Sequence, residues 1–577
     1  MTSSIVRSAL LCLLVPCLLR SQDDSAFVND PFQARVERED LYGQLPPSES
    51  SPYPDLTDSS ADGTRFTFRS RTEAVLSLPA GYTDGAYPGS PLHSLQKLTC
   101  RREGKFQAGF LMEKDPGESS FTDFTAFHLL MTSQGLLRSL ILGDYILEIG
   151  EGIALWRQCE YTKGRDAIAP VRRHGRVIVP CLSGGAQNYL SGAAAVIGTA
   201  QQTAVIFWSR RLLSAHLDGA GNVESLVTDD LFRTPAERRS RDNTKEQIIG
   251  VCGTAEMSSS GRIGALLYQS VFDRPLRLRT PGIAGTSFGV LSVFGECRTG
   301  KFQTRGEWMM SDGKGGGILT LLLFPVSSVR CAASLRFYRH DWFSQHGAGF
   351  GEGSAGTDEE GGYLGITCTP LRSIRVNAFF DRFLFPPASP AAPFQKEGEE
   401  WETALDLIPS AGIRCCAEVH RKIGADGTGS VRTQYRLGLN AALSHAVSAG
   451  GRIDFLGLEY SGTGASADGR LVSADLLIDP HGPLQTDFRL CLFRTDSYDA
   501  RITEYEHSFD GALSIPTFYG EGVKWYLLVK YPVTPRCTIS ARYSDLQRDD
   551  VLRIGTGEDR LPANMDERWG LQIDYSL

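Results

Sequence analysis

The chain has 577 residues, of which 41% are hydrophobic, and a formal net charge of −8 at pH 7. This negative charge excludes a general electrostatic attraction to nucleic acid, and we predict no direct nucleic-acid binding. No internal apolar stretch approaches the roughly 18 residues of a membrane-spanning helix. A helical membrane protein is therefore excluded. A β-barrel is not, because its lipid-facing residues alternate with polar ones that face the lumen.

The N-terminal residues have the layout of a secretory signal peptide. The short basic segment MTSSIVR precedes the apolar SALLCLLVPCLL, after which the sequence turns polar. Such an apolar segment is too short to span a membrane and is typical of a cleaved signal. We predict a signal peptide at 1–21 and a polar, loosely ordered arm at 22–62, which is rich in Pro, Ser and Asp. The remainder, 63–577, is predicted to form one outer-membrane β-barrel.

The cysteines do not form a disulfide or zinc pattern. Thirteen are present, and the eleven outside the predicted signal peptide cannot all pair because their number is odd. No CxxC pair exists to begin a zinc site. We predict that most of them are small apolar strand residues, and that the chain has no metal site and no cofactor.

Strand-like segments follow one another from TRFTFRSR at 64–71 to the last residue, without a strong helical stretch. Apolar and polar residues alternate most clearly in 431–443, 484–492 and 524–531. A period of two is typical of a strand with one dry and one wet face. These segments are close to the roughly 9 to 11 residues that cross a bilayer at a tilt.

We expect the apolar face of these strands to contact outer-membrane lipid and the polar face to line the lumen. Several unpaired charges buried on that wall would cost several kcal/mol each, so water is expected inside. The candidate lumen-lining residues are Arg432, Gln434, Arg436, Asp487, Arg489, Lys524 and Lys530.

The connections alternate between short and long. Short turns such as FPVSSVR at 324–330 and IPSAGIR at 408–414 are separated by longer Gly- or Pro-rich segments, such as 346–362 and 385–400. Short turns at one end and long loops at the other describe a bacterial outer-membrane barrel. We predict an all-β fold: a large antiparallel transmembrane barrel of about 20 to 26 strands with short periplasmic turns and long outer loops.

The last stretch, ERWGLQIDYSL at 567–577, alternates in the same way. A terminal strand with an aromatic-rich dry face has to be held by neighbours on both edges, so it is predicted to close the barrel against the first strand. It is also a candidate signal for the outer-membrane assembly machinery, a predicted partner of the chain. The residues of that signal are Trp569, Leu571, Ile573, Tyr575 and Leu577.

Several stretches resemble a family of large Bacteroidetes-type outer-membrane barrels that often carry an N-terminal helix-hairpin-helix domain. The most specific is LILGDYILEIGEGIALW at 140–156, which is similar to the family's GDY…FGQG…LW signature. Ile149 and Glu151 stand where Phe and Gln are usual. YTDGAYPGSP at 82–91 and EEGGYLGI at 359–366 also match.

The resemblance implies an outer-membrane barrel without an agreed substrate or catalytic residue. The arm at 22–62 shows no pair of helices around a hairpin, so the helix-hairpin-helix domain is expected to be missing. Any DNA function would then require a separate partner.

Three patterns could carry chemistry, and each also has a simpler explanation. GTSFG at 285–289 places Ser287 in a GxSxG frame, yet the segment is predicted to be a strand rather than a sharp turn into a helix. His340, Asp341, His346 and Glu352 lie close in sequence, but without a recognised metal-ligand spacing. GEGSAG at 351–356 lacks the strand–turn–helix context of a dinucleotide site.

The arginine-rich segment at 233–247 interleaves acidic residues and is predicted to be a mixed-charge loop beside the membrane. We therefore predict no catalytic residue.

The favoured function is that of a channel or transport component for a solute or polymer, with a polar, charge-lined lumen. The alternative is a plugged barrel that presents its outer loops to a periplasmic or extracellular protein partner. A rim serine hydrolase is a distant third. An open polar passage would favour transport, whereas a packed lumen or an in-folded loop would favour the anchor.

Overall fold

The computed structural model describes residues 63–157, 163–183, 188–227, 231–278, 283–339, 342–343, 345–353, 358–386, 396–424, 429–478 and 484–577. The predicted signal peptide and polar arm lie outside these residues. Barrel strands occupy the chain from Arg65 to Ser576.

Among the described residues, the regular secondary structure is almost all β-strand. The strands are β1 (Arg65–Val75), β2 (Leu92–Arg102), β3 (Phe106–Lys114), β4 (Phe124–Thr132), β5 (Leu137–Glu148), β6 (Val177–Pro180), β7 (Leu190–Gly198), β8 (Gln202–Leu213), β9 (Ala215–Leu217), β10 (Val223–Leu226), β11 (Thr244–Ser258), β12 (Gly261–Arg277), β13 (Ala284–Thr299), β14 (Phe302–Ser311), β15 (Lys314–Val326), β16 (Val329–Tyr338), β17 (Glu359–Leu371), β18 (Ile374–Phe385), β19 (Lys396–Ser410), β20 (Ile413–Ile423), β21 (Ser430–Ala442), β22 (Val447–Tyr460), β23 (Ser466–Ile478), β24 (Gln485–Thr495), β25 (Ile502–Thr503), β26 (Thr517–Phe518), β27 (Glu521–Thr534), β28 (Cys537–Arg548) and β29 (Met565–Ser576). Two short α-helices, α1 (Ala80–Thr83) and α2 (Pro235–Ser240), and two 3-10 turns, Ala169–Val171 and Gly557–Asp559, lie in the connections.

Over the described residues, 24 of these strands form one closed antiparallel barrel, within the range predicted from the hairpins. Each pairs with its neighbour in chain order, with β7 beside β5 and β8, and β27 beside β24. β29 closes the barrel against β1. At the seam the Leu577 N–H donates to the Phe66 carbonyl and the Phe66 N–H to the Leu577 carbonyl, both at 2.9 Å. The predicted closure by the terminal strand is confirmed.

The outer face of the barrel is apolar. On β21, Tyr435, Leu437 and Leu439 are exposed, while the polar residues between them point inward. On β29, Trp569, Leu571 and Tyr575 are exposed as well, and Ile573 is half-buried. Apolar side chains repeated around a closed barrel are stable only against lipid. The protein is therefore an outer-membrane barrel.

The two ends of the barrel differ as predicted. At one end the connections are short, and they include the turns expected at 324–330 and 408–414, which link β15 to β16 and β19 to β20. The other end carries the long connections, among them 149–189, 214–243, 339–358, 496–520 and 549–564. One connection at that end is tight: Asp312 and Gly313 turn between β14 and β15, both with positive φ. Short turns identify the periplasmic end.

Helices contribute little. In the part of the chain that the structure describes, no helix is long and apolar enough to cross a membrane. Helix α2 lies within the arginine-rich segment that was predicted to be a loop. Thr234 accepts from the Glu237 N–H, and the Glu237 side chain accepts from the Thr234 N–H, which is a capping box.

Ten cysteines lie within the described ranges. Nine of them sit on strands, as predicted, and Cys181 lies in the connection after β6.

Candidate functional site

The described parts of three outer connections turn back into the barrel. We name them the signature loop (149–189), the aromatic loop (339–358) and the inner hairpin (Ile502–Phe518). The described parts of the first two are joined to each other, since the Trp156 N–H donates to the His346 carbonyl at 2.9 Å and the Ala348 N–H to the Gly152 carbonyl at 2.8 Å. Together the three segments contact the inner wall around most of its circumference, so the lumen is the candidate functional site.

The GDY triplet at 143–145 lies on β5, just before the signature loop, and fixes the part of that strand nearest the outer end of the barrel. Gly143 has φ +96°, and a Cβ there would lie 2.2 Å from the Phe127 carbonyl oxygen. The Asp144 carboxylate accepts the Phe127 N–H at 2.8 Å. The buried Tyr145 hydroxyl donates to the Trp208 carbonyl at 2.9 Å. Backbone groups left unpaired by the irregular strand are thus satisfied by side chains, as burial requires.

The chain after β5 enters the lumen and docks on Glu307 of β14. Its carboxylate accepts the N–H groups of Glu151 at 2.7 Å and Ile153 at 3.1 Å, and the Ser292 hydroxyl at 2.6 Å. The Arg305 guanidinium donates to the Glu151 carboxylate at 2.8 Å. Burial raises the pKa of Glu151, in this loop, to about 7, although the nearby Arg305 opposes that rise.

One half of the lumen is filled by an apolar core, which involves both the signature and the aromatic loops. Phe343 of the aromatic loop stacks on Phe288 of β13 with ring centroids 4.4 Å apart, and Phe350 meets Tyr363 of β17 edge-on at 5.1 Å. Trp342 is fully buried in the same core, and Trp156 of the signature loop is also fully buried. Side-chain packing of this kind resembles a protein interior rather than a water-filled channel.

A charged wall adjoins this core on β18, β19 and β20. The Lys163 ammonium of the signature loop lies 2.8 Å from Asp381, 2.6 Å from Glu400 and 2.6 Å from Glu352. Burial alone would lower the pKa of Lys163, but these carboxylates outweigh it and raise the pKa above its usual value. Arg165 follows two residues later, 2.6 Å from Asp406.

The inner hairpin docks on the opposite wall, from β21 to β29, mainly through charges. Glu504 pairs with Arg452 at 3.1 Å and with Arg489 at 3.7 Å. Glu506 pairs with Lys524 at 2.9 Å and with Arg542 at 2.8 Å.

At the hairpin tip, Asp510 pairs with Lys530 at 2.6 Å, and its carbonyl accepts from Gln572 at 3.2 Å. Lys530 lies close to the short-turn end of β27. The hairpin therefore extends deep into the barrel.

The seven candidate lumen-lining residues all make polar contacts with other described residues. Arg432 donates to the carbonyls of Asp499 and Arg501, at 3.1 and 2.6 Å, at the base of the hairpin. Gln434 and Arg436 donate to Asp454 at 2.9 and 2.8 Å. The remaining contacts join Asp487 to His507, Arg489 to Asp475, Lys524 to Glu506 and Lys530 to Asp510.

Four of the seven, Asp487, Arg489, Lys524 and Lys530, pair with side chains of the inner hairpin, a contact that a strand's own periodicity does not reveal.

The other candidate residues are not brought together as a chemical site. Ser287 is exposed on β13, and its hydroxyl accepts from the Gln269 side-chain amide at 2.9 Å. An amide cannot serve as the base of a hydrolase. The Nε2 atom of the buried His346 lies 2.9 Å from the Glu246 carboxylate, whereas the Glu352 carboxylate pairs with lysine side chains. His340 and Asp341 lie outside the described residues, and within those described no cluster of His, Cys, Asp or Glu could hold a metal ion.

The outer loops are joined above the seam between β1 and β29. The Asp559 carboxylate accepts from the Tyr87 hydroxyl at 2.7 Å and from Arg233 at 2.8 Å. The Ala80 N–H donates to the Arg560 carbonyl at 2.8 Å. We call this contact the outer latch. Arg233 belongs to the arginine-rich segment at 233–247, and in the structure it joins two outer loops.

Neither a family model nor a curated protein sequence matches the chain. Solved structures of similar fold include a mutant of the ferric enterobactin receptor of Pseudomonas aeruginosa, at 8% identity over 90% of this chain and 81% of that one, with a TM-score of 0.45. A siderophore receptor of Acinetobacter baumannii has 8% identity, the same shares of the two chains, and a TM-score of 0.42. A copper transporter has 10% identity over 89% of this chain and 83% of that one, with a TM-score of 0.42.

Proposed function

We propose that the protein is a gated transport component of the outer membrane. In the described conformation the inner hairpin fills part of the lumen, and its displacement opens a polar passage beside the apolar core. The contrast between the two halves of the lumen supports this proposal.

Separating the aromatic loop from the barrel wall and separating the inner hairpin from it would have different energetic costs. Withdrawing the aromatic loop would expose Trp342, Phe343 and Phe350 to water. The free-energy cost is about 25 cal/mol for each Å² of apolar surface exposed. Withdrawing the hairpin would instead hydrate charges on both surfaces. A buried ion pair contributes little net stability compared with its hydrated partners. The hairpin is therefore the segment that can leave at low cost.

The wall behind the hairpin is suited to a polar passage. It carries basic side chains on β22, β24, β27 and β28, together with Asp475 on β23 and Asp487 on β24. The basic residues are Arg452, Arg489, Lys524, Lys530 and Arg542. Rings of charged side chains of this kind set the selectivity of pores.

Liposome swelling with sugars of graded size tests the proposal. Glu504→Gln with Glu506→Gln removes the two central carboxylates of the hairpin. Lys524 and Arg542 then lose their carboxylate partner, and leaving a buried charge unpaired costs about 3–5 kcal/mol. Changing a population from 99% closed to 99% open requires about 5.5 kcal/mol. Because the double substitution supplies a large part of this energy, we expect sugar to enter the liposomes several-fold faster through the double variant than through the wild type.

Glu397→Gln is the matched control, because Glu397 forms an exposed rim pair with Arg382 at 3.0 Å. Equal swelling rates in folded wild type, double variant and control would refute the proposal.

The second candidate function is a plugged anchor that presents its outer loops to a protein partner. The apolar half of the lumen favours this alternative, because opening that core would expose its apolar side chains to water. A barrel that stays closed in the double variant would support this alternative.

We also propose that the chain is related to the Bacteroidetes-type barrels named above. Support comes from the GDY segment, whose glycine, aspartate and tyrosine each have a structural role in turning the chain into the lumen. Recognition of the β29 residues by the assembly machinery, and a periplasmic or extracellular protein partner, belong to the same proposal.

A further inference from the structure

The charged wall on β18, β19 and β20 holds more carboxylates than its own strands can neutralise. Asp381 and Glu400 lie directly opposite each other in the strand register, an arrangement that is destabilising for like charges. We call this surface the acidic wall; it comprises Asp381, Glu400, Glu402, Asp406 and Glu418.

Basic residues of the barrel strands meet most of these carboxylates. Arg336 reaches Asp381 at 2.8 Å, Arg414 reaches Asp406 at 3.1 Å and Arg436 reaches Glu418 at 3.0 Å. Glu400 pairs with His420 at 2.8 Å.

Glu402 is different. The residue is only 6% exposed, and its Oε1 accepts no hydrogen bond from any described residue. A buried acceptor left in this state is costly. The acidic wall therefore contains a buried acceptor that lacks a hydrogen-bond donor among the described residues.

The signature loop adds two further cations to those of the barrel strands, among which Lys422 of β20 also lies 3.7 Å from Glu400. Its Lys163 ammonium lies between Asp381 and Glu400, and its Arg165 guanidinium reaches Asp406 at 2.6 Å and Glu418 at 3.6 Å. Two basic side chains, separated by Gly164, thus occupy two adjacent carboxylate pairs. This segment comes from a connection and not from the barrel wall, so the wall and its occupant are separable parts.

We propose that the acidic wall is a binding site for a basic peptide that carries two cationic side chains two residues apart, and that Lys163 and Arg165 occupy it as an internal substitute. Guanidinium groups bind carboxylates through several donors in a fixed geometry, which fits the Asp406 and Glu418 pair. Glu402 offers a further acceptor between the two occupied positions. This inference rests on the proposed function, because a peptide reaches the wall only through the lumen.

Calorimetric titration of the folded protein in detergent tests the site directly. The probe is acetyl-Lys-Gly-Arg-amide, and its matched control is acetyl-Gln-Gly-Gln-amide. The variant Lys163→Gln with Arg165→Gln removes the internal cations, so we expect it to bind the basic probe at least tenfold more tightly than the wild type does. The neutral peptide should bind to neither protein.

A second variant identifies the carboxylates. Adding Glu402→Gln and Glu418→Gln to the first variant should reduce probe binding at least tenfold. Absence of binding to the first variant, or binding that survives loss of both carboxylates, would overturn the inference.

If the first variant does not show the heat-modifiable migration of a folded barrel, Arg165→Gln alone is titrated and held to the same criteria. The titration involves no transport. A negative titration therefore does not change the interpretation of the swelling assay, and a negative swelling assay does not change the interpretation of the titration.

Discussion

At the scale of single residues, Gly143 is the position in the signature segment with the least room. An alanine there would combine a positive φ with a Cβ 2.2 Å from the Phe127 carbonyl oxygen. Backbone strain of this kind costs about 1–3 kcal/mol before any clash is relieved. We expect Gly143→Ala to lower the free energy of unfolding by at least about 2 kcal/mol, measured by urea titration of the refolded barrel.

Gly253→Ala is the control for that substitution. Gly253 lies on β11, and a Cβ added there would have nothing within 4 Å of it. A barrel that loses equal stability from both substitutions would contradict the role given to Gly143.

Glu151 gives a prediction about pH. Its pKa in the folded chain is about 7, above the ordinary value of 4.5, because burial favours the protonated acid. The folded chain therefore binds this proton more tightly than the unfolded chain. The resulting stabilisation is full below about pH 4.5, falls as the pH rises and is lost above about pH 7, a change of up to about 3 kcal/mol.

Glu151→Gln should remove this component, since an amide does not titrate. Urea titrations between pH 4.5 and 7.5 should show a smaller loss of stability in the variant than in the wild type. Parallel pH profiles would contradict the assignment.

At the scale of elements, the outer latch links three loops of the outer face through one carboxylate. Asp559→Asn removes the charge that holds Arg233 and weakens the contact with Tyr87. We expect faster cleavage of the outer loops 76–91 and 214–243 by trypsin, with the stability of the barrel changed by less than about 1 kcal/mol, as is usual for an exposed pair.

Glu558→Gln, on the same exposed turn, is the control and should leave cleavage unchanged. If both variants are cut at the wild-type rate, the latch does not hold these loops.

The strands and turns could be predicted because their signals are local. The alternation around Tyr435 and Leu437 depends only on neighbours along the strand, and so do the short turns at 324–330 and 408–414. The inner hairpin was missed, although Asp510 and Gly511 between two short alternating segments are a hairpin signal. Helix α2 was also missed, despite the visible Thr234 and Glu237 of its capping box. The pairing of Glu506 with Lys524 and Arg542 joins distant parts of the chain, and no periodicity encodes it.

At the scale of the whole molecule, the barrel is held in place by its contact with lipid. Leu437 is exposed near the middle of β21. A lysine near the bilayer midplane costs about 2–4 kcal/mol on the lipid face of a barrel. We expect Leu437→Lys to reduce the free energy of unfolding in lipid vesicles by that amount.

Leu552→Lys is the matched control, because Leu552 is 92% exposed in an outer connection. It should change stability by less than about 0.5 kcal/mol. Equal effects of the two substitutions would contradict the proposed lipid-facing surface.

The central claim is that a hairpin docked by charges, beside a fixed apolar core, closes the passage. Single-channel conductance in a planar bilayer tests it most directly, comparing the wild type with a variant in which a short Gly-Ser linker replaces 499–518. We predict a wild type that is mostly closed with rare openings, and a variant that carries a steady ohmic current. A steady current through the wild type, or silence from the inserted variant, would contradict the claim.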